Sequence, residues 1–183
     1  MPAVHYVDSP DDASVVETFQ VAEKHFGHVP NLVRALGHNP ALCKSVTEFF
    51  AQAMGEGSVS WAFKELVIMK TLRAIGAYYG YGSHEQLARE LGNSEERIGD
   101  VANSLWEVSD HFSDAEKAVF GLVRQIGIDA NDVKDEQWEE LRSHWSNEQL
   151  IELNALITTF IMIGRLGDTL GVSEPAFFAQ PVG

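Results

Sequence analysis

Only one cysteine, Cys43, occurs in the 183 residues. A single thiol excludes an internal disulfide and a thiolate metal cluster. It also excludes a paired-thiol redox centre within the chain, because attack and resolution need two sulfurs. Cys43 sits in Asn-Pro-Ala-Leu-Cys-Lys-Ser-Val, a helical-looking stretch with no nearby histidine, and reads as a small core residue. Basic residues are scarce too: 13 Lys and Arg stand against 27 Asp and Glu, a net charge of −14. Such a surface repels phosphate backbones and anionic headgroups, so neither nucleic acid nor a membrane surface is an expected partner. The longest apolar runs, 66–69 and 160–164, are short for a bilayer span. The N-terminus has no basic flank followed by an apolar stretch, so no secretion signal is read and the cytoplasm is the expected compartment. There is no His-x-x-x-His pair, no Gly-rich loop after a strand and no strained nucleophile turn. Metal, nucleotide and catalytic-triad chemistry therefore have no motif here.

What is present is helical pattern nearly throughout. The composition, 45% apolar and 22% charged, fits one ordinary globular domain with its own core. Apolar residues recur at helical spacing over about eight segments: 11–26, 39–54, 60–75, 77–91, 94–106, 113–127, 135–144 and 146–170. A short segment, 31–37, lies between the first two. Asn39-Pro40 is a cap followed by proline, Ser113 to Glu116 and Ser146 to Gln149 are capping boxes, and Gly92 and Gly171 close helices. Residues 172–183, with two prolines, read as an irregular arm. No segment reads as a strand, so the expected class is all-α, a single-domain bundle over 1–183.

Within this pattern one run carries chemistry. It extends from Glu65 through Ala77, Tyr78, Tyr79, Gly80, Tyr81 and Ser83 to His84. The helical face of Glu65 holds Ile68, Met69 and Leu72, so its carboxyl leaves water on folding. A buried carboxyl beside an imidazole is a working acid or base near neutral pH. The bland alternative pairs Glu65 with Arg73 and leaves it a structural role. His84 has Gly80, Tyr81, Leu87, Ala88 and Leu91 as helical neighbours, a small and apolar face. The hydroxyls of Tyr78, Tyr79, Tyr81 and Ser83 are candidate donors to a developing oxyanion. Arg165 lies in Phe-Ile-Met-Ile-Gly-Arg-Leu-Gly and needs a partner, either Asp168 or a substrate carboxylate. Arg34 and His28 are weaker candidates of that kind.

The same run resembles the core motif of the carboxymuconolactone decarboxylase and alkylhydroperoxidase D-like family. That motif is a Glu, a helical apolar stretch, a Gly, then Cys-x-x-Cys-x-x-x-His. Glu65 and His84 match its ends, and Ala77 and Gly80 hold the two cysteine positions. The segments 27–36, 112–118 and 145–153 resemble other parts of the family pattern. The resemblance implies an alkylhydroperoxidase D-like helical bundle and a homo-oligomer, a trimer or a hexamer or dimer. In thiol-bearing members the matching Glu and His form a proton relay around the cysteines. Here it implies a cofactor-free lyase or isomerase, decarboxylase-like, in which Glu65 and His84 move protons on a small anionic substrate. Ala77, Gly80, Tyr79, Tyr81, Ser83 and Arg165 are then the expected substrate contacts, and no metal is expected. Two alternatives stand beside it. One is the thiol-dependent peroxidase of the family name, disfavoured without a Cys pair. The other is a non-catalytic oligomeric small-molecule-binding module.

Overall fold

Side-chain caps set most helix starts. Asp12, Asn39, Ser60, Ser94, Ser113 and Ser146 each accept a hydrogen bond from a backbone N–H of the first turn they precede. Each removes one of the orphan donors of a helix N-terminus. The computed structural model describes residues 2–77 and 79–173. Among these, nine α-helices follow in order. They are α1 (Ala13–Phe26), α2 (Asn31–Leu36), α3 (Pro40–Met54), α4 (Trp61–Ala74), α5 (Tyr81–Glu90), α6 (Glu95–Ala102), α7 (Asp114–Asp129), α8 (Asp135–His144) and α9 (Asn147–Leu170). A 3-10 turn, Ala130–Asp132, joins α7 to α8. No strand occurs among the described residues.

The chain packs around α4. Every residue from Phe63 to Leu72 is buried, which is the signature of a helix enclosed on all sides. Helices α5, α6, α7 and α9 pack directly against it, while α1 and α2 lean on α3 and α3 on α9. The main core joins Leu66, Val67, Ile68 and Met69 of α4 to Phe120 of α7 and Leu153, Leu156 and Phe160 of α9. Helix α9 is long and apolar enough to cross a bilayer by length and composition, but half of that stretch is buried inside the bundle.

Two boundaries differ from the sequence reading. The expected helix from Ala77 begins only at Tyr81, because Gly76 (φ 65°) and Gly80 (φ 73°) are left-handed. A residue with a Cβ is strained there, so the glycines turn the chain between α4 and α5 instead of extending a helix. Helix α6 ends at Ala102, ahead of the expected Trp106, where Ser104 takes φ 60° and the Leu105 amide bonds back to the Asp100 carbonyl. Of the expected C-terminal arm, Val172 is buried and the Ser173 carbonyl accepts from Asn31 Nδ2 at 2.5 Å. Residues 174–183 lie outside the described residues.

Helix α4 also buries a lysine. Lys64, 1% exposed, donates from Nζ to the Gly55 carbonyl at 2.6 Å and to the Ala53 carbonyl at 3.4 Å, and forms an ion pair with Glu152 of α9. Glu152 in turn accepts from the Ser58 amide at 2.8 Å and hydroxyl at 2.5 Å. The pair thus ties the end of α3 and the 55–60 connection to α9. Burial pushes the Glu152 carboxyl up, but the Lys64 ammonium and the Ser58 donors outweigh it and hold the group below its ordinary value of 4.5. A lowered folded-state value stabilises the fold at pH above the ordinary carboxylate range, and that contribution is lost as pH falls through the lowered value. Glu152→Gln should therefore cost about 3 kcal/mol at neutral pH, since one partner of a buried pair is left behind. Denaturant unfolding of both proteins should show the gap closing on acidification through the carboxylate range. A gap that is absent at neutral pH, or that widens in acid, would contradict the assignment.

Candidate functional site

The site is organised by the buried carboxylate of Glu65, which is 0% exposed. Both of its oxygens are used. Oε1 accepts from Trp61 Nε1 at 2.9 Å, and Oε2 accepts from His84 Nδ1 at 2.7 Å. Trp61 lies four residues before Glu65, one turn back on the same face of α4. His84 reaches across from the first turn of α5, whose start is fixed by the left-handed Gly80. Accepting from Nδ1–H sets the imidazole tautomer and leaves Nε2 as the unprotonated nitrogen. Nε2 has no protein partner among the described residues. The ring stands edge-on to Phe160, with centroids 4.9 Å apart.

His84 forms part of the wall of a cavity of about 490 Å³. That volume suits a small organic ligand. Phe26, Phe50 and Phe160 make a continuous aromatic wall, with centroid separations of 5.1 and 5.5 Å, that leads to His84. Met54, Leu87, Ile163 and the body of Trp61 add apolar surface. Ser83, His28 and Gln86 supply polar atoms. His25, Glu56 and Glu90 also line it and are exposed, which places the mouth beside them. No lysine or arginine is among the described residues that line it.

The expected contacts divide. Tyr79, Gly80, Ser83 and His84 lie in the cavity wall. Glu65 does not; it stands behind His84. A side chain at position 80 would place its Cβ 3.8 Å from His84 Nε2, so the glycine leaves open the space next to that nitrogen. Ala77 is buried away from the cavity, against Gly164 of α9. Tyr81 packs against the main core, its hydroxyl buried without a hydrogen-bond partner, and burial followed by the nearby Glu85 pushes its phenol up against the pull of Arg73. Arg165 corrects the sequence reading. It is exposed on α9, in a stripe with Thr158, Met162 and Thr169, and has no place in the cavity wall. Its apolar sequence neighbours face the core, while the 3.6-residue period turns Arg165 outward. Arg73 is exposed and does not pair with Glu65. Arg34 pairs with Asp8 and donates to Asn31 Oδ1 at 3.0 Å. Tyr78 lies outside the described residues.

Two other groups have the right elements for chemistry and the wrong arrangement. Ser109, His111 and Asp100 meet, but Ser109 Oγ and His111 Nδ1 both donate to the same Asp100 oxygen, at 2.6 and 2.8 Å. The histidine is thus not the base for the serine. Cys43 is buried with Val15, Ala22 and Val33, its Sγ donating to the Val33 carbonyl at 3.5 Å. Burial pushes its thiol up, against a smaller opposite pull from Thr47, which suppresses the reactive thiolate.

The carboxymuconolactone decarboxylase family matches residues 40–125, which includes Glu65 and His84. The uncharacterized protein YdfG of Bacillus subtilis (strain 168) is 26% identical over 117 residues, covering 63% of this chain and 78% of that protein. A cysteine-to-alanine variant of the debrominase Bmp8, in complex with 2,3,4-tribromopyrrole, superposes with a TM-score of 0.83 at 20% identity over 96% of this chain and 93% of that one. The alkylhydroperoxidase AhpD core protein of Ralstonia eutropha JMP134, a peroxidase-related protein, gives 0.80 at 19% identity over 97% and 93%. At these identities the structural likeness is one of fold. Residues 40–125 of this chain are thus similar to the carboxymuconolactone decarboxylase family, and no Cys-x-x-Cys pair occurs in the sequence.

The wall is held in place by close approach. A Cβ on Gly167 of α9 would lie 2.6 Å from Cγ of Tyr79, so only glycine admits the Tyr79 ring at that point. Gly→Ala within a helix gains up to about 1 kcal/mol in propensity, whereas overpacking costs about 1–3 kcal/mol. Gly167→Ala should therefore lower the melting temperature. Gly99→Ala on α6, where nothing lies within 4 Å, should raise it. Equal shifts for both variants would contradict the close packing of Tyr79 on α9.

Proposed function

We propose that this chain is a cofactor-free acid–base enzyme, a lyase or isomerase, in which His84 Nε2 moves a proton on a small organic molecule held in the cavity. The observation that carries the reading is the Trp61–Glu65–His84 chain, which uses every polar atom of the carboxylate and leaves one imidazole nitrogen facing the cavity. In the forward step Nε2 takes a proton from an acidic C–H or O–H of the substrate, and the electron pair stays on the substrate. The imidazolium that forms is stabilised by the Glu65 carboxylate through the Nδ1 hydrogen bond. Ser83, in the same wall, donates to an oxyanion developing on the substrate. Return of the proton at a different atom completes an isomerisation. Expulsion of a leaving group by the electron pair completes an elimination, and the proton then leaves with that group. Glu65 is a positioning residue in this scheme, because it acts through His84.

The peroxidase alternative has no support in this site. The chain's single thiol, Cys43, lies in a separate cluster of side chains. The tribromopyrrole held by a Bmp8 variant whose cysteine is replaced supports the view that this fold accommodates a small ring.

Deuterium exchange tests the reading without a known substrate. A panel of small lactones and ketones in D2O, followed by proton NMR, should reveal a compound whose acidic C–H exchanges with the wild-type protein. His84→Asn should slow that exchange by about 10²–10⁴-fold, the usual worth of a positioned base. Glu65→Gln should slow it by a similar order with ligand affinity unchanged, and the double variant should be little worse than either single one. A Glu65→Gln protein with a lowered melting temperature and unchanged exchange rate would reduce Glu65 to a structural role. Compounds that bind the wild type without exchange or turnover would favour the non-catalytic binding module.

A further inference from the structure

The cavity's walls differ in character from the site expected for an anionic substrate. We propose that the cavity selects a small uncharged molecule built on a flat apolar ring, and discriminates against carboxylates. The inference rests on the reading of this cavity as the active site and specifies its substrate class. Three observations carry it. The wall that leads to His84 is aromatic, made by Phe26, Phe50 and Phe160 in successive ring contact. Rings of this kind favour offset or edge-on packing with another flat ring. Second, the wall has no lysine or arginine among its described residues, and Arg165, the expected holder of a carboxylate, is exposed on α9. Among the described residues that line it, the histidines His25, His28 and His84 are the side chains able to carry positive charge.

Third, the exposed mouth carries Glu56 and Glu90, the latter held by Gln86 Nε2 at 2.9 Å. Both carboxylates repel an approaching anion, and the surrounding field adds to them, since the whole chain carries a net charge of −14. A buried anion without a guanidinium or ammonium partner also loses its hydration uncompensated. An uncharged ring incurs neither cost and gains the aromatic contact. Among acid–base reactions this favours isomerisation or elimination of a neutral compound over decarboxylation, whose substrate brings its own carboxylate.

A matched pair of probes separates charge from shape: methyl naphthyl ketone, which is uncharged, and naphthoate, which replaces the acetyl group by a carboxylate. Titration calorimetry should find the ketone bound at least about tenfold more tightly than naphthoate, the effect of roughly one unit of repulsive charge at the mouth. The Glu56→Gln, Glu90→Gln double variant, at exposed positions outside the proton relay, should narrow that gap by tightening naphthoate more than the ketone. Naphthoate binding as tightly as the ketone would overturn the inference, as would failure of both probes to bind. An unchanged gap in the double variant would overturn the role of the rim carboxylates. None of these results depends on proton transfer by His84, so the substrate class and the acid–base reading fail separately.

Discussion

A carboxylate with no exposed surface has to find its hydrogen bonds inside the protein, and the site follows from how Glu65 does so. An ionised carboxyl placed in a low dielectric without partners is prohibitively costly. Two donors meet the demand, the indole N–H of Trp61 and the Nδ1–H of His84. Once both are committed, the orientation of the imidazole is set, and so is the nitrogen it presents to the cavity. The two residues are thereby placed differently: Glu65 is sealed in the core, and His84 stands in the cavity wall, where the proposed function has it meet the ligand. The arrangement parallels other carboxylate–histidine pairs in which the acid orients the ring and stabilises its charged form.

The same helix shows how costly its central place is. Helix α4 buries three ionisable side chains, each compensated differently. Glu65 is hydrogen-bonded on both oxygens. Lys64 caps the carbonyls at the end of α3 and pairs with Glu152. Lys70 lies with its ammonium 5.3 Å from the Trp106 ring centroid, and burial together with Arg124 and Arg73 pulls its protonated form down against the opposing field of Glu107. The Lys64 pair bears on the cavity wall because Met54, Gly55 and Glu56, which line the cavity, include or adjoin the carbonyls that it holds. Two buried charged contacts on one helix thus adjoin the cavity, and Phe160 of α9 meets His84 from the other side.

Much of this was legible in the residues. Caps and capping boxes marked the helix starts, and the resemblance of Glu65 and His84 to the family motif pointed to the candidate site. Trp61 was also within reach, since a side chain four residues before a buried Glu shares its face. Other features were hidden for physical reasons. The run from Ala77 to Leu91 has helical composition, and only the backbone shows that Gly76 and Gly80 are left-handed. Arg165 sits among apolar residues in sequence yet faces solvent, because a helix enclosed on one side still has an outer stripe. The Lys64–Glu152 pair joins distant parts of the chain, which local periodicity does not register. Gly80 carries a further consequence. Its left-handed backbone disfavours any residue with a Cβ, so a cysteine placed at position 80 of this chain would be strained as it stands.

The central claim is that Glu65 fixes His84 as the tautomer with hydrogen on Nδ1 and a bare Nε2 facing the cavity. Nitrogen NMR of the ¹⁵N-labelled imidazoles reads this directly, because protonated and unprotonated ring nitrogens resonate far apart. The account predicts that, where the ring is neutral, the His84 signals are those of Nδ1–H and unprotonated Nε2, and that Glu65→Gln alters this pattern while leaving the exposed His144 as it was. A neutral His84 carrying its proton on Nε2, with Nδ1 bare, would contradict it.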